Sequence, residues 1–187
     1  AALLGLWLIV PAAAPTFGGG IFLNPFFAIG VVLLTGAAIG YAVGCLITFG
    51  RMHNFIVTLA VLLIIRGFML AFSEGAPVNG FNNPSADVFY WLGHQKAFFI
   101  PGVGNITVAV VATGLLFLVV HFILQNHKFG RELYAIGGNR KAAEQLGINA
   151  NRRIRQVYMI SGLLAALAGW MLAGRVVSIQ SNLGEGF

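Results

Sequence analysis

The chain has 187 residues, of which 58% are hydrophobic and only 9% are charged, and its net charge is +6. A soluble domain carries about a quarter charged residues, so the polar surface here is too small to cover a globule in water. Together with a mean hydropathy of +0.87, this predicts a polytopic membrane protein. The composition argues against a soluble enzyme, and against a nucleic-acid reader, which would need a basic face on a soluble domain.

Four apolar runs are long enough to cross a bilayer, at residues 26–49, 55–72, 105–125 and 156–174. At about 1.5 Å per residue they span roughly 27 to 36 Å, which matches a hydrocarbon core of about 30 Å. Residues 1–14 are typical of a partial fifth span. Because lipid cannot satisfy open backbone groups, the spans must be helices. We therefore expect an all-α transmembrane bundle forming one domain, truncated at both ends.

The first complete span carries a glycine stripe, because Gly36, Gly40 and Gly44 recur every four residues. Glycines at this spacing leave one helix face flat, so another helix backbone can approach closely. The last span carries a second stripe of small residues, at Ser161, Gly162, Ala165, Ala168 and Gly169. We expect the two glycine-bearing faces to be helix-packing surfaces, either in a fixed bundle or between helices that slide during a conformational cycle.

Arg66 is the one charge well inside a span. A central arginine costs about 2.5–3.5 kcal/mol on the insertion scale, whereas the apolar residues of span 55–72 contribute roughly −4 to −7 kcal/mol. The helix therefore inserts, and Arg66 lies about 9 Å below its outer end, within snorkelling reach. Its same-face neighbours are apolar, which favours a structural or gating role over substrate contact. Arg175, after the last span, is a second candidate for gating or for lining the pathway.

The segment at residues 126–155, called the basic segment below, holds seven of the eleven Lys and Arg residues and only two acids. Basic residues near span ends mark the cytoplasmic side of a membrane, so this segment is expected to be cytoplasmic. The segment at residues 73–104 has two acids and one lysine, and is expected to face outward, on the opposite side of the membrane. With four spans crossing between these two sides, the chain is expected to be a multi-pass membrane protein.

Several kinds of chemistry have no pattern in the sequence. It contains no G-x-x-x-x-G-K-[ST] phosphate loop, no H-E-x-x-H zinc pair and no G-x-S-x-G nucleophile elbow. It also lacks the paired intramembrane carboxylates of a proton relay. We therefore expect no catalytic residue, no metal ligand and no cofactor bound by this chain.

A short helix is predicted inside the basic segment at residues 140–146. Asn139 is a good N-cap, and Gly147 is the expected residue just after the helix end. A helix of two turns is marginal in isolation, so it needs a partner surface. Ala142, Ala143 and Leu146 would supply a small apolar patch for that surface, which is either the protein's own bundle or another subunit.

The stretch GRELYAIGGNRKAAEQLGINANRRIRQVYMISGLLAALAG resembles the central signature of the ribose-type sugar permeases of bacterial ABC importers. The resemblance extends upstream to FIVTLAVLLIIRG and APVNGF and downstream to RVVSIQSNLGEGF, and so covers nearly the whole chain. It implies a pair of permease subunits forming a path across the inner membrane. Two cytoplasmic ATPase subunits, which use ATP and Mg, would bind below, and a periplasmic sugar-binding protein above.

In such importers a short cytoplasmic coupling helix sits in a groove of the ATPase. By resemblance, the coupling helix here comprises Asn139, Arg140, Lys141, Ala142, Ala143, Glu144, Gln145, Leu146 and Gly147. Three residues depart from the family pattern. Lys141 replaces the glutamate of the general permease loop, Val43 stands where members often have asparagine, and Ser181 stands where proline usually follows Gln180.

The function expected is therefore that of a permease subunit of an ATP-driven importer for a monosaccharide, working by alternating access. It would not be an enzyme itself, because ATP would be hydrolysed by a separate subunit. A self-contained channel or facilitator for a small polar solute is the alternative, with the basic segment merely an orientation signal. A non-transporting scaffold is a third hypothesis. No residue distinguishes ribose, xylose, arabinose or galactose as the sugar.

Overall fold

The computed structural model describes residues 25–50, 52–73, 78–79, 96–100, 104–176 and 178–179, and the side chains of residues 27–50, 52–71 and 107–172. The partial span predicted at residues 1–14 lies outside the described residues, as does Ser181.

Six helices follow one another in the described part of the chain. They are α1 (Pro25–Gly50), α2 (Asn54–Ser73), α3 (Val108–Asn126), α4 (Lys128–Gly138), α5 (Arg140–Gln145) and α6 (Ala150–Val176). The helices α1, α2, α3 and α6 are each long and apolar enough to cross a membrane, over Phe27–Gly50, Asn54–Ala71, Val108–Asn126 and Ala150–Leu172. The predicted all-α polytopic bundle is confirmed.

The helices differ from the predicted spans at the basic segment. Helix α6 begins six residues before the predicted span, so Arg152, Arg153 and Arg155 lie in its first two turns instead of in a loop. Helix α4 was not predicted. Its three glycines, at 130, 137 and 138, are poor helix formers. Its apolar residues Phe129, Leu133 and Ile136 recur at helical spacing, but the segment is too short and too polar for a membrane span. Helix α3 begins three residues late because residues 104–107 form a strand.

Four short strands accompany the helices in the described part of the chain, where turns or, at residues 105–107, the start of a span were expected. Strand β1 (Val78–Asn79) pairs antiparallel with β4 (Ser178–Ile179), and β2 (Lys96–Ile100) pairs antiparallel with β3 (Gly104–Thr107). The first pair ties the chain just after α2 to the chain just after α6. Backbone hydrogen bonds between residues about 100 positions apart leave no signal in local composition, so this pairing could not be predicted.

The core of the described part lies along α1. Ala28 and Val32 are buried near its start, and Ala166 and Trp170 are buried on α6, which packs alongside. Nearer the other end of α1, Val43, Ile47 and Val57 form a buried cluster, with Val61 and Tyr158 packed against it. Val43, the departure from the family pattern, is therefore an apolar packing residue in this cluster.

Helix α3 is packed differently from α1 and α6. None of its residues is buried, and large apolar side chains such as Leu115, Phe117 and Phe122 are mostly exposed. Helix α2 likewise exposes Phe55 and Leu63. Lipid is as apolar as these side chains, so a transmembrane helix can expose them without the cost they would incur in water.

Candidate functional site

The short helix α5 is closed at both ends by hydrogen bonds. At its start, Oδ1 of Asn139 accepts from the backbone N–H of Ala142 at 3.1 Å. At its end, the N–H of Gly147 donates to the carbonyl of Glu144 at 3.0 Å, and that of Ile148 donates to the carbonyl of Ala143 at 3.1 Å. This pair of bonds is a Schellman motif, in which a left-handed residue stops the helix. Gly147 supplies that conformation with φ of 81°.

The side chains of α5 divide between two surroundings. Ala143 is 2% exposed and packs into the protein, whereas Leu146 is 80% exposed. Ala142, Lys141 and Gln145 are also exposed. The apolar patch expected from Ala142, Ala143 and Leu146 is thus split. Helix α5 ends at Gln145, so Leu146 lies beyond its last helical residue and does not share the buried face of Ala143. One side of α5 is bound by the protein's own bundle, and Leu146 is left for another surface.

Arg140 turns back toward the bundle. Its Nε donates to Oε1 of Glu144 at 3.0 Å, and its Nη2 donates to Oδ1 of Asn151 on α6 at 2.7 Å. The three residues line a cavity of about 480 Å³ whose other wall is the junction of α1 and α2, at residues such as Thr48 and Asn54. Arg140 therefore connects α5 to the start of α6.

Helix α4 follows α3 after a single extended residue, His127, whose Nδ1 accepts from the N–H of Phe129 at 3.4 Å. The turn at His127 brings Gly130 against the backbone carbonyl of Leu124, where an added Cβ would collide. A glycine is needed at this position because the two backbones touch. This tight turn sets where α4 leaves the end of the α3 span.

Arg153 joins α4 to α6. Its guanidinium donates to Oε2 of Glu132 on α4 through Nε, and to Oε1 of Gln156 through Nη1 at 2.9 Å. The same guanidinium lies 5.5 Å from the centre of the Phe129 ring. The ion pair is partly buried, with 27% of each side chain exposed, so water screens it less than a surface pair.

The pKa of Glu132 is lowered from its ordinary value. The main cause is the hydrogen bond from Arg153, to which the positive charges of Arg153 and Lys128 add, while partial desolvation opposes the shift. Hydrogen bonding and nearby positive charge both favour the carboxylate over the neutral acid. The pair with Arg153 therefore persists to lower pH than the ordinary pKa of Glu132 would allow.

The glycine stripe of α1 lies directly against α6. An added Cβ on Gly36 would be 2.5 Å from Cβ of Ala166 and 2.7 Å from the carbonyl oxygen of Gly162. On Gly40 it would run into the carbonyl oxygen of Tyr158. On Gly44, the third glycine of the stripe, it would be 2.9 Å from Cα of Arg155. No flexible side-chain end is available to move away, so only glycine fits at these positions.

The partner face on α6 is not the full stripe expected from its small residues. Gly162 lies in the interface, where an added Cβ would meet the carbonyl oxygen of Gly36. Ala166, 1% exposed, is its neighbour there, whereas Ala165 is exposed and Gly169 is partly buried. Residues 162 and 166 are four apart and share a face, while residue 165 points about 100° away from 166. Small residues lie on more than one face of this span, so residue size alone did not identify the face that packs against α1.

The structure does not bring Arg66 to α5. It is partly buried on α2, twelve residues and therefore about 18 Å along the helix from Asn54. Arg175 lies in the last turn of α6, where side chains are outside the described part. Within the described part, no group of three His, Cys, Asp or Glu residues is arranged to hold a metal ion.

Two contacts of the basic segment escaped the sequence analysis, those of Arg153 with Glu132 and of Arg140 with Asn151. The first pair is 21 residues apart and the second eleven, so neither follows from helix periodicity. One signal was available. The segment has only two acids among seven basic residues, and both are paired with arginine, Glu132 with Arg153 and Glu144 with Arg140.

Comparison with known proteins supports the family resemblance of the sequence. The family model described as "Branched-chain amino acid transport system / permease component" matches residues 1–187. The ribose import permease protein RbsC of Escherichia coli K12 is 36% identical over 168 residues, covering 90% of this chain and 50% of that protein. No solved structure matches.

Other relatives are similar in the same way. The ribose import permease protein RbsC of Bacillus subtilis 168 is 38% identical over 147 residues, covering 77% of this chain and 42% of that protein. The D-allose transport system permease protein AlsC of Escherichia coli K12 is 34% identical over 166 residues, covering 88% and 48%. The chain spans about half the length of the curated relatives it matches. The resemblance to sugar permeases is confirmed. The chain belongs to the permease family that the matching model describes, which includes these sugar permeases. It is a multi-pass protein of the bacterial inner membrane.

Proposed function

We propose that this chain is part of the permease subunit of an ATP-driven importer for a monosaccharide, and that it forms part of a sugar path operated by alternating access. Two relatives are named for ribose import and one for D-allose transport, which supports a monosaccharide as the substrate class. ATP, with Mg, would be used by a separate ATPase subunit on the cytoplasmic side. A second permease subunit and a periplasmic sugar-binding protein would complete the importer.

Residues 139–147 are the coupling helix in this proposal. The observation that carries it is a helix of six residues, capped at both ends, that leaves Leu146 80% exposed beside the membrane spans. An isolated helix of this length is marginal, so its two caps and the packed Ala143 are what hold α5 in its helical shape. A preformed helix with one exposed leucine suits insertion into a groove of another protein.

A displacement of α5 would be transmitted to the membrane spans through two contacts of α5 with the rest of the described part of the protein. Arg140 binds Asn151 on α6, and Ala143 is packed against the bundle. Helix α6 lies against α1 in close backbone contact at the glycines of α1. Displacement of α5 by a closing ATPase dimer would therefore move α6 and α1 together, which is the kind of motion alternating access requires.

The test uses the full-length permease reconstituted with its ATPase and binding protein. The variant Leu146→Asn removes the exposed apolar side chain without changing charge. We expect sugar-dependent ATP hydrolysis and uptake to fall about tenfold. This corresponds to about 1.4 kcal/mol, a loss typical of the few interface residues that contribute most of the binding energy.

Tyr134 provides the matched control, because it is 67% exposed on α4 in the same basic segment. Tyr134→Asn should leave both activities near those of the unchanged protein. Loss of activity at Tyr134 but not at Leu146 would place the docking contact on α4 instead. Uptake that continues without any ATPase subunit would refute the importer and favour a self-contained facilitator.

A further inference from the structure

We propose that Arg153 is the positioning residue that holds α4 on α6, so that α4, α5 and the first turns of α6 move as one body. The inference rests on the proposed coupling function of α5, and it gives Arg153 a task beyond orienting the protein in the membrane. Charge alone does not require that task, because six other basic residues lie in the same segment.

The partners of Arg153 come from two helices. Glu132 and Phe129 belong to α4, while Gln156 lies one turn further along α6. Gln156 therefore orients the guanidinium on its own helix, and Glu132 and Phe129 receive it from the other. A planar guanidinium can hold an acceptor at its edge and an aromatic ring at its face at the same time. A lysine, with a point charge on a flexible stem, cannot replace both contacts.

Helix geometry shows why this contact is needed at residue 153. Successive residues of an α-helix are about 100° apart, so residues 151 and 155 lie within about 40° of each other and residue 153 faces nearly the opposite way. Asn151 binds Arg140 of α5, and Arg155 lies 5.2 Å from the centre of the Phe49 ring of α1. Two contacts therefore hold one side of the first turns of α6, and Arg153 holds the other.

Removing the Arg153 contacts would leave α6 held on one side at its start. The segment from α4 to α5 also contacts α6 through the hydrogen bond of Arg140 with Asn151, and both of these residues are exposed. A displacement of α5 would then tilt α4 and α5 against α6 before it moved the spans. The expected consequence is ATP hydrolysis that is no longer matched to sugar uptake.

Arg152 offers a matched control. It lies next to Arg153 in the same turn and is exposed, and Arg152→Gln removes the same charge from the same side of the membrane. We would compare Arg153→Gln, Glu132→Gln and Arg152→Gln in the full-length permease. The double variant Glu132→Arg with Arg153→Glu keeps the two opposite charges and exchanges their positions.

Two measurements separate a positioning role from a general loss of structure. The first is backbone hydrogen exchange of residues 128–145 in the detergent-purified permease, which needs neither sugar nor ATPase. The second is the number of ATP molecules hydrolysed per sugar taken up by the reconstituted importer. We expect Arg153→Gln and Glu132→Gln to speed exchange in α4 about tenfold and to raise the ATP-to-sugar ratio at least about fivefold. Arg152→Gln should change neither, and the exchanged pair should restore both at least in part.

Equal behaviour of Arg152→Gln and Arg153→Gln would overturn the proposal, because charge would then explain both. So would an unchanged exchange rate in Glu132→Gln, which removes the negative charge that Arg153 pairs with and changes the side-chain shape little. If the unchanged importer shows no ATP-dependent uptake, the proposed function fails, but the exchange comparison still decides whether Arg153 holds α4 on α6.

Discussion

Helix α6 makes two kinds of contact along its length. In its middle, Gly162 and Ala166 meet the glycines of α1 backbone to backbone, with no charged group taking part. At its start, Asn151, Arg153 and Arg155 reach three different helices through long or polar side chains. Inside a bilayer there is no hydrophobic force between helices, so close packing must supply the attraction. At the basic segment, hydrogen bonds and ion pairs do so.

The difference between glycine contacts and side-chain contacts indicates where this protein can change shape. A close backbone contact at glycine joins many atom pairs at once, and a gap of about 0.5–1 Å forfeits roughly a quarter to a half of their dispersion attraction. A hydrogen bond through a long side chain tolerates small shifts, because rotamers can follow. The α1–α6 pair is therefore suited to move as a unit, and the basic segment is suited to receive a partner and transmit its motion.

The largest expected effect comes from filling the glycine contact. Gly40→Val would place side-chain atoms where the carbonyl of Tyr158 lies, so α1 and α6 would have to separate. We expect the detergent-solubilised protein to lose about 3 kcal/mol of unfolding free energy, the upper part of the range for overpacking. Thermal unfolding followed by circular dichroism would measure the loss.

Gly67→Val on α2 is the control for that change, because no atom lies within 4 Å of an added Cβ there. Valine has a higher helix propensity than glycine, so this variant should be as stable as the unchanged protein or slightly more so. Equal losses in the two variants would mean that the glycines of α1 are not required for close approach.

A smaller effect is expected at the end of α5. Gly147 has φ of 81°, a conformation that costs an L-residue with a Cβ about 1–2 kcal/mol. Gly147→Ala should therefore open α5 and speed hydrogen exchange at residues 140–146, without changing the thermal unfolding of the spans. The difference would sharpen the contrast between the two regions, since a local loss would stay local.

Gly138→Ala is the matched change at the end of α4, where an added Cβ meets no atom and φ is not positive. Alanine within a helix is favoured over glycine by roughly 0.5–1 kcal/mol, so exchange in α4 should slow. If Gly138→Ala and Gly147→Ala had the same effect, the left-handed turn after α5 would not be what ends that helix.

The smallest effect is the pH dependence of the α4–α6 contact. The pKa of Glu132 is lowered below its ordinary value of about 4.5 by the hydrogen bond from Arg153. Its stabilising contribution is therefore complete above pH about 4.5 and is lost as the pH falls through the lowered pKa. Exchange in α4, corrected for the intrinsic rate, should rise below that pH, while exchange at the glycine contact of α1 stays constant. Glu132→Gln should abolish the pH dependence, and a dependence that survives it would assign the effect to another group.

Much of the molecule followed from local patterns. The four spans, the cap at Asn139 and the turn at Gly147 depend on residues close together in sequence. The structure has the ends of the spans within six residues of the expected bounds. The strands and helix α4 did not follow, because β1 and β4 are distant in sequence and α4 is stabilised by contacts with α6. Ala143 and Leu146 looked alike as an apolar patch, yet one is buried and the other exposed.

The amino-acid sequence by itself determined that the chain crosses a membrane as helices, since lipid accepts no other open backbone, and it determined which short segment is capped on both sides. The tertiary structure alone decided which face of α6 meets the glycines of α1, and that Arg153 reaches back to Glu132. The physical reason is range. Helix formation and capping act within one or two turns, whereas the choice of a packing face or an ion-pair partner compares contacts among helices that are far apart along the chain.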